Sequence, residues 1–429
     1  MSATPSLPEA GVAGPGRTET AAIERAESPA RVVGCLLLLL VALHLAISPA
    51  LQVTKWHVEG GMNPAFLEAQ AWQAGRMTLE GRPADTALYH GNVYSVHPPW
   101  FALLSYGALW LAKWYPHLPQ GEFYPAWYVL VVAVPLPFVG FWAFQQVLKK
   151  AAWAAVLTFY WLVGTPLLPQ LILAGDGSIN AVNHVLTAPG LMLIAGDLLG
   201  RRRMWPAAIG LVIATWSRPH LVFFGLAALW IAWSVKDTRR WNLVIIGSSL
   251  VIAVGTLMTL NWIKFDSPFE TGYRYIYDYR PNSQLARRAL AYGVVSPHFL
   301  GENAYCMNLS PPRFRLTSQG VVPENGAHGV AIWMTSPLAL GVFVGVRKWW
   351  ADKAARAVML ASLPVIATVL MYHWHGASPT GYYAYGSDFV PIWLVVIAAW
   401  TASGWRRSFT LACLAWSALY FHIIWRAYA

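Results

Sequence analysis

The most constraining feature of this chain is a series of apolar runs, nearly free of charge, each about 20 residues long. The first follows Arg31 and reaches Leu51 without an Asp, Glu, Lys or Arg. In a bilayer core about 30 Å thick, this is the length at which a helix can cross with all of its backbone groups bonded internally. Further runs lie at roughly 125–148, 151–173, 182–199, 242–263, 328–346, 356–373, 384–402 and 407–425. Residues 204–235 are apolar too, but Ser217-Arg218-Pro219 interrupts them, which favours two short spans over one helix carrying a buried Arg. Hydrophobic residues make up 57% of the chain and charged residues 11%, with 24 Trp, so a soluble enzyme is excluded. The expected fold class is all-α, a polytopic helical membrane protein.

Charge sets the topology. Lys149-Lys150, Arg201-Arg202-Arg203, Lys236/Arg239/Arg240, Arg347/Lys348/Lys353/Arg356 and Arg406-Arg407 occupy short loops, and such clusters belong in the cytoplasm. All five fall on one side only if residues 98–114, barely long enough to cross, lie in the membrane plane on the outer surface. Eleven spans then remain, with the N-terminus cytoplasmic. On this count the cytoplasmic side carries 17 Lys/Arg against 7 Asp/Glu, and the outer side 13 against 12. The net charge of +11 is therefore an orientation signal, and nucleic acid is not expected as a partner.

Residues 1–30, rich in Ala, Pro, Glu and Ser, cannot bury a core and read as a disordered cytoplasmic tail. The run after Arg31 is too long for a signal-peptide core and reads as a retained signal-anchor. Cys35, Cys306 and Cys413 have no metal-ligand or CxxC spacing and imply no disulfide framework. The expected organisation is a seven-span module over 31–263 that includes an outer loop at 52–124. A second outer loop at 264–327 and a four-span region at 328–429 follow. Both long loops face the outer compartment, so function is expected there. The second, with Pro311-Pro312, Gly320 and Gly326, reads as an irregular flap.

In the first loop, Asn63-Pro64 opens a helix, with Asn as N-cap and Pro at the first helical position. Phe66, Ala69 and Trp72 oppose Glu68, Gln70, Gln73 and Arg76, as in an interfacial amphipathic helix ended near Gly75 or Gly81. A polar stretch then leads to Pro98-Pro99-Trp100 and the second in-plane helix.

These parts carry a resemblance. Ala69-Gln-Ala-Trp-Gln-Ala-Gly75-Arg-Met-Thr-Leu79 and Asp85-Thr-Ala-Leu-Tyr-His-Gly-Asn-Val-Tyr-Ser-Val-His-Pro-Pro99 are followed in order by Trp216-Ser-Arg-Pro219, by Asn261-Trp-Ile-Lys-Phe-Asp-Ser-Pro-Phe-Glu-Thr-Gly-Tyr273 and by Tyr385-Gly-Ser-Asp-Phe-Val-Pro391. In this order they resemble the GT-C superfamily of membrane glycosyltransferases, in particular the bacterial branch related to protein O-mannosyltransferases and lipid-A aminoarabinose transferases. The likeness spans about residues 32–402. It implies two juxtamembrane helices after the first span, a long outer loop after the seventh, and transfer of a sugar from a polyprenyl-phosphate carrier to an acceptor on the outer face. The setting it implies is the inner (plasma) membrane of a bacterium.

Such a transfer needs a carboxylate to take the acceptor's proton and cations to meet the departing phosphate. The resemblance puts the acid near Gly61, Met62 and Asn63, none of which is acidic, so the candidates become Glu59 just upstream and Asp85 between the two helices. For the phosphate, Arg274 follows the seventh span and Arg218 lies at the outer end of a short span; the fixed charge and fork of donors suit either, although Arg at an interface also snorkels. Arg287-Arg288 reads as a solvated basic face that could also attract a lipid headgroup. Asp388 and His97 are placed at the rim, and Asp388, like Asp176, could instead cap a helix or answer an Arg. Tyr273, Tyr275, Tyr277 and Tyr279 alternate, so an extended segment would present an aromatic face for sugar stacking or for the membrane surface. His373-Trp-His375 would need an extended loop to chelate, with His97 or Asp388; no metal ligand set is assigned, although the family leaves room for a divalent cation. The alternative function is a polyprenyl-phosphate-binding or transport protein that keeps the fold without catalysis, suggested by the missing acid. A solute transporter ranks third, for want of repeats and of an acid–base pair within the later spans.

Overall fold

The computed structural model describes residues 29–53, 58–59, 63–114, 122–123, 130–318, 320–323, 329–378 and 381–426. The expected tail lies outside these residues except for its last two, and the side chains of Glu59 and Tyr279 lie outside them as well.

The chain is mostly helical. Among the described residues, six helices are long and apolar enough to cross a membrane: Ala30–Gln52, Leu130–Leu148, Ile179–Leu199, Arg239–Phe265, Lys353–Leu370 and Trp405–Ile424. Ala151–Val163 and Leu167–Gly175, bent by 51°, add a seventh if they form one broken span. This is a multi-pass membrane protein; the six or seven spans found among the described residues by length and composition do not confirm the expected count of 11. Trp205–Ser217, Pro219–Ser234 and Val390–Thr401 are apolar but short. The span expected at 328–346 divides into Ile332–Thr335, Pro337–Leu340 and Gly341–Val344. Its break falls at Ser336, which adopts ψ 66° ahead of Pro337, because a residue before proline is pushed out of the helical region. The expected break at Arg218 is present: Arg218 is extended (φ −146°, ψ 101°) between Ser217 and Pro219.

Burial sorts the helices. In Ala30–Gln52 and Arg239–Phe265, 22% and 17% of the apolar window is buried, so Leu36, Leu40, Val251 and Ile252 face the lipid. In Ile179–Leu199 the share is 83%, which makes this helix the central pillar. Lipid is as apolar as leucine, so helices in a membrane associate through close backbone approach. Trp205–Ser217 crosses the pillar where Gly190 meets Gly210: a Cβ on Gly190 would lie 2.8 Å from the Gly210 carbonyl, and one on Gly210 would lie 2.5 Å from the Gly190 carbonyl.

Both long loops fold, and they fold together. The first gives helix Pro64–Gln73, with Asn63 Oδ1 accepting from the Ala65 and Phe66 amides as expected of an N-cap. A hairpin follows, pairing Thr86–Tyr89 with Asn92–Ser95 through a turn at His90 (φ 49°) and Gly91 (φ 78°), both left-handed as a two-residue hairpin loop requires. Helix Pro99–Ala112, at 14 residues about 21 Å long, is too short to cross the hydrocarbon core. The second loop is not an irregular flap. It forms helices Tyr273–Tyr279, Gln284–Tyr292 and Leu300–Asn308 and a hairpin over Phe314–Pro323. Ile276, Tyr277, Ala286 and Ala289 pack on Ala87, Tyr94 and Val96 of the first loop and on Phe265, a small core separate from the main one. The expected extended tyrosine face is also corrected. Residues 273–279 are helical, so Tyr273 and Tyr277 share a face at i, i+4 spacing.

Candidate active site

One end of the bundle gathers a cluster around Asp388, a fully buried carboxylate in the 3-10 turn Ala384–Asp388 ahead of helix Val390–Thr401. Its Oδ1 accepts from His184 Nδ1 at 3.1 Å and its Oδ2 from His220 Nε2 at 3.0 Å. Arg218 Nε lies 3.0 Å from the same Oδ2. His184 Nε2 faces Arg218 Nη1 at 3.4 Å, so the network is consistent with a neutral His184 that carries its proton on Nδ1 and accepts from the guanidinium. The Arg218 guanidinium also sits 5.0 Å from the ring centre of Tyr385. Of the two readings for Asp388, it answers an Arg. Phe389 holds the helix cap position, and no side chain caps it.

Chain geometry explains the convergence. Arg218 is freed from helical geometry by Pro219, His220 follows in the 3-10 turn Pro219–Phe223, and His184 lies in the second turn of the pillar helix. Both carboxylate oxygens of Asp388 are engaged, whereas the side chain of Arg218 remains 17% exposed.

Asp85, at the start of the first-loop hairpin, lies within electrostatic reach of Tyr273 and His97. It adopts a left-handed conformation (φ 56°) just ahead of strand Thr86–Tyr89, a geometry that Asp tolerates better than most residues. Tyr273 lies within electrostatic reach of both Asp85 and Arg218. Burial raises its pKa, as does the negative charge of Asp85, while Arg218 opposes the shift. Tyr273 packs edge-on to Tyr372, their ring centres 6.3 Å apart. His97 is buried, with Nδ1 3.4 Å from Asn183 Nδ2, beside His184 in sequence. Its Nε2 and the Asn183 Oδ1 have no hydrogen-bond partner among the described residues. Burial lowers the His97 pKa and Lys264 lowers it further against the pull of Asp85, so the ring is neutral near pH 7.

The structure therefore brings together Arg218, Asp388, His97, Tyr273 and Asp85. It does not bring Arg274 to them. On the turn opposite Tyr273, Arg274 is 75% exposed and lies 3.7 Å from Asp278. The backbone of Glu59 pairs with Glu122, and nothing further is described of its side chain. Asp176 holds the C-cap position of helix Leu167–Gly175. Arg288, read from the sequence as solvated, pairs with Glu302 at 2.7 Å and donates to the His373 carbonyl.

His373 contacts the Tyr277 hydroxyl through Nε2, and burial lowers its pKa to about 4. The oxygens of Asp388 are taken by Arg and His. No group of three His, Cys, Asp or Glu among the described residues is placed to hold a metal ion, so the donor set does not fit a divalent cation. A cavity of about 410 Å³ lies elsewhere, lined by Lys348, Trp349, Asp352 and Trp400, and contains none of the clustered residues.

Sequence reasoning missed His184, His220, Asn183 and the pair Glu68–Lys264. His184 of the pillar helix pairs with Asp388. The available signal was an ionisable residue inside a span, a site hypothesis by default. Glu68 was placed on the wet side of an amphipathic helix, but it is fully buried, 2.5 Å from Lys264.

No protein-family model matches the chain, and no curated protein matches it significantly. Two solved structures are similar to it. The archaeal oligosaccharyltransferase AglB from Archaeoglobus fulgidus, in complex with an inhibitory peptide and a dolichol-phosphate, is 13% identical with a TM-score of 0.43. The Archaeoglobus fulgidus oligosaccharyltransferase in the apo form is 15% identical with a TM-score of 0.42. Each match covers 94% of this chain and 56% of the other, so the chain spans little more than half the length of these proteins.

Proposed function

We propose that the protein is an integral-membrane glycosyltransferase of GT-C type. It transfers a sugar from a polyprenyl-phosphate carrier to an acceptor on the outer face of a bacterial inner membrane, with 11 passes and a cytoplasmic N-terminus. In this reading residues 31–263 form the seven-span module and 328–429 the four-span region. The observation that carries it is that Tyr273 lies within electrostatic reach of both the Asp85 carboxylate and the Arg218 guanidinium. A general base and a fixed cation across one site are what glycosyl transfer from a phosphate requires.

The acceptor hydroxyl gives its proton to the Asp85 carboxylate as its oxygen bonds to the anomeric carbon. The bond from that carbon to the phosphate oxygen breaks, and the electron pair leaves with the polyprenyl phosphate. Arg218 meets the charge of the leaving phosphate. Asp388 is the positioning residue for that guanidinium, since its oxygens are already engaged by Arg218, His184 and His220. His97 and Tyr273 supply hydrogen bonds along the path between base and cation.

The test is turnover of a panel of polyprenyl-phosphate-linked sugars by protein in liposomes, with released carrier as the readout. Consumption that fails in Asp85→Asn supports the reading. Binding of carrier without turnover, with acceptors supplied, would move the protein to the non-catalytic alternative.

A further inference from the structure

The Glu68–Lys264 pair joins three parts of the outer surface. Glu68 belongs to the first juxtamembrane helix and Lys264 to the outer end of the long helix Arg239–Phe265. Lys264 Nζ also donates to the Ser95 carbonyl at 3.1 Å, on the last residue of the hairpin. Ser95 in turn accepts from the His97 amide through Oγ at 3.2 Å. Both charges of the pair are buried, and one Glu68 oxygen, Oε2, has no hydrogen-bond partner among the described residues.

Burying such a pair is a poor route to stability, because desolvation offsets the attraction and an apolar pair of the same size packs as well. A buried pair is better suited to fixing register. Here the register is that of the strand leading from Asp85 to His97 against the helical bundle.

We propose that Lys264, pinned by Glu68, is a positioning residue for His97: it anchors the backbone beside that histidine and sets the charge its ring faces. The role in transfer rests on the function proposed above. The charged groups bearing on the His97 ring are Asp85 from the hairpin and Lys264 from the long helix; Asn183, from the pillar, is neutral. Lys264 and burial disfavour a proton on the ring, and Asp85 favours one.

The experiment follows carbethoxylation of His97 by diethyl pyrocarbonate across pH, read by mass spectrometry, in the wild type and in the double variant Glu68→Met/Lys264→Met. Because an apolar pair substitutes without loss of stability, the double variant is expected to melt with the wild type. Its modification midpoint is expected to rise by about half a pH unit or more. The charge swap Glu68→Lys/Lys264→Glu should move the midpoint the same way and serves if the apolar variant does not fold. An unchanged midpoint in a folded variant overturns the inference.

Turnover is measured on the same proteins. A fall in kcat of about tenfold or more with carrier KM within about twofold, and an acid limb shifted with the midpoint, is expected of a displaced site residue. A shifted midpoint with no turnover even in the wild type would overturn the proposed function and leave the pairing of Lys264 with His97 standing.

Discussion

Arg218 Nε and Asp388 Oδ2 lie 3.0 Å apart at one end of the bundle, although 170 residues separate them in the chain. The carboxylate is fully buried and the Arg218 side chain stays partly exposed, so the cation is the member of the pair that a ligand can reach. The histidines on the other carboxylate positions fix its plane.

Asp388→Asn is expected to destabilise the protein by about 3–5 kcal/mol, because Arg218 then keeps a largely buried charge without its counter-ion. Adding Arg218→Met should restore much of that loss while leaving turnover abolished. Thermal unfolding in detergent, set beside carrier release, separates the two effects.

Asp85→Asn should lower kcat by about 100- to 10,000-fold and leave carrier binding close to that of the wild type, the loss expected for a general base. Glu59→Gln tests the second acid in parallel. If both variants kept full turnover, neither acid would be the base.

Arg218→Lys keeps the charge but loses the fork of donors, and carrier affinity should weaken by roughly 10- to 100-fold, the loss of one charge-assisted hydrogen bond. Arg274→Ala should change it by less than about twofold, since Arg274 faces solvent and Asp278. Equilibrium binding of a polyprenyl phosphate to the two variants decides which arginine meets the phosphate.

His373 should make stability depend on pH. Its pKa is held at about 4 by burial, against an ordinary value near 6.5, so below that value the unfolded chain binds the extra proton and the folded one does not. Stability is complete above pH 6.5 and falls as pH drops toward 4, by roughly 3 kcal/mol for a group of this shift. His373→Phe should flatten unfolding profiles in that window; an unchanged slope would show that other groups set it.

The membrane class, the break at Arg218 and the Asn63 cap were legible in the sequence. Each depends on local composition or on a residue's own backbone limits, as with proline after Arg218. Asp85, Arg218, His97, Tyr273 and Asp388 could be named as candidates because polar residues in an apolar chain stand out. That they meet could not be read, and Arg274 looked as suitable as Arg218. Which of the two turns inward depends on helix 273–279, whose alternating Tyr residues read as an extended segment until packing on the first-loop hairpin selected the helix.

What the sequence alone determined is therefore one-dimensional: which segments prefer lipid, where helices must stop, and which side chains could do chemistry. Tertiary structure decided which residues share a site and which charges are buried. Glu68 reads as solvent-facing by helical periodicity, and only the arrival of Lys264 at the end of a distant helix makes its burial tolerable. Pairing across such separations depends on how helices of different length and tilt cross, at contacts such as Gly190 against Gly210, and local pattern carries no record of that.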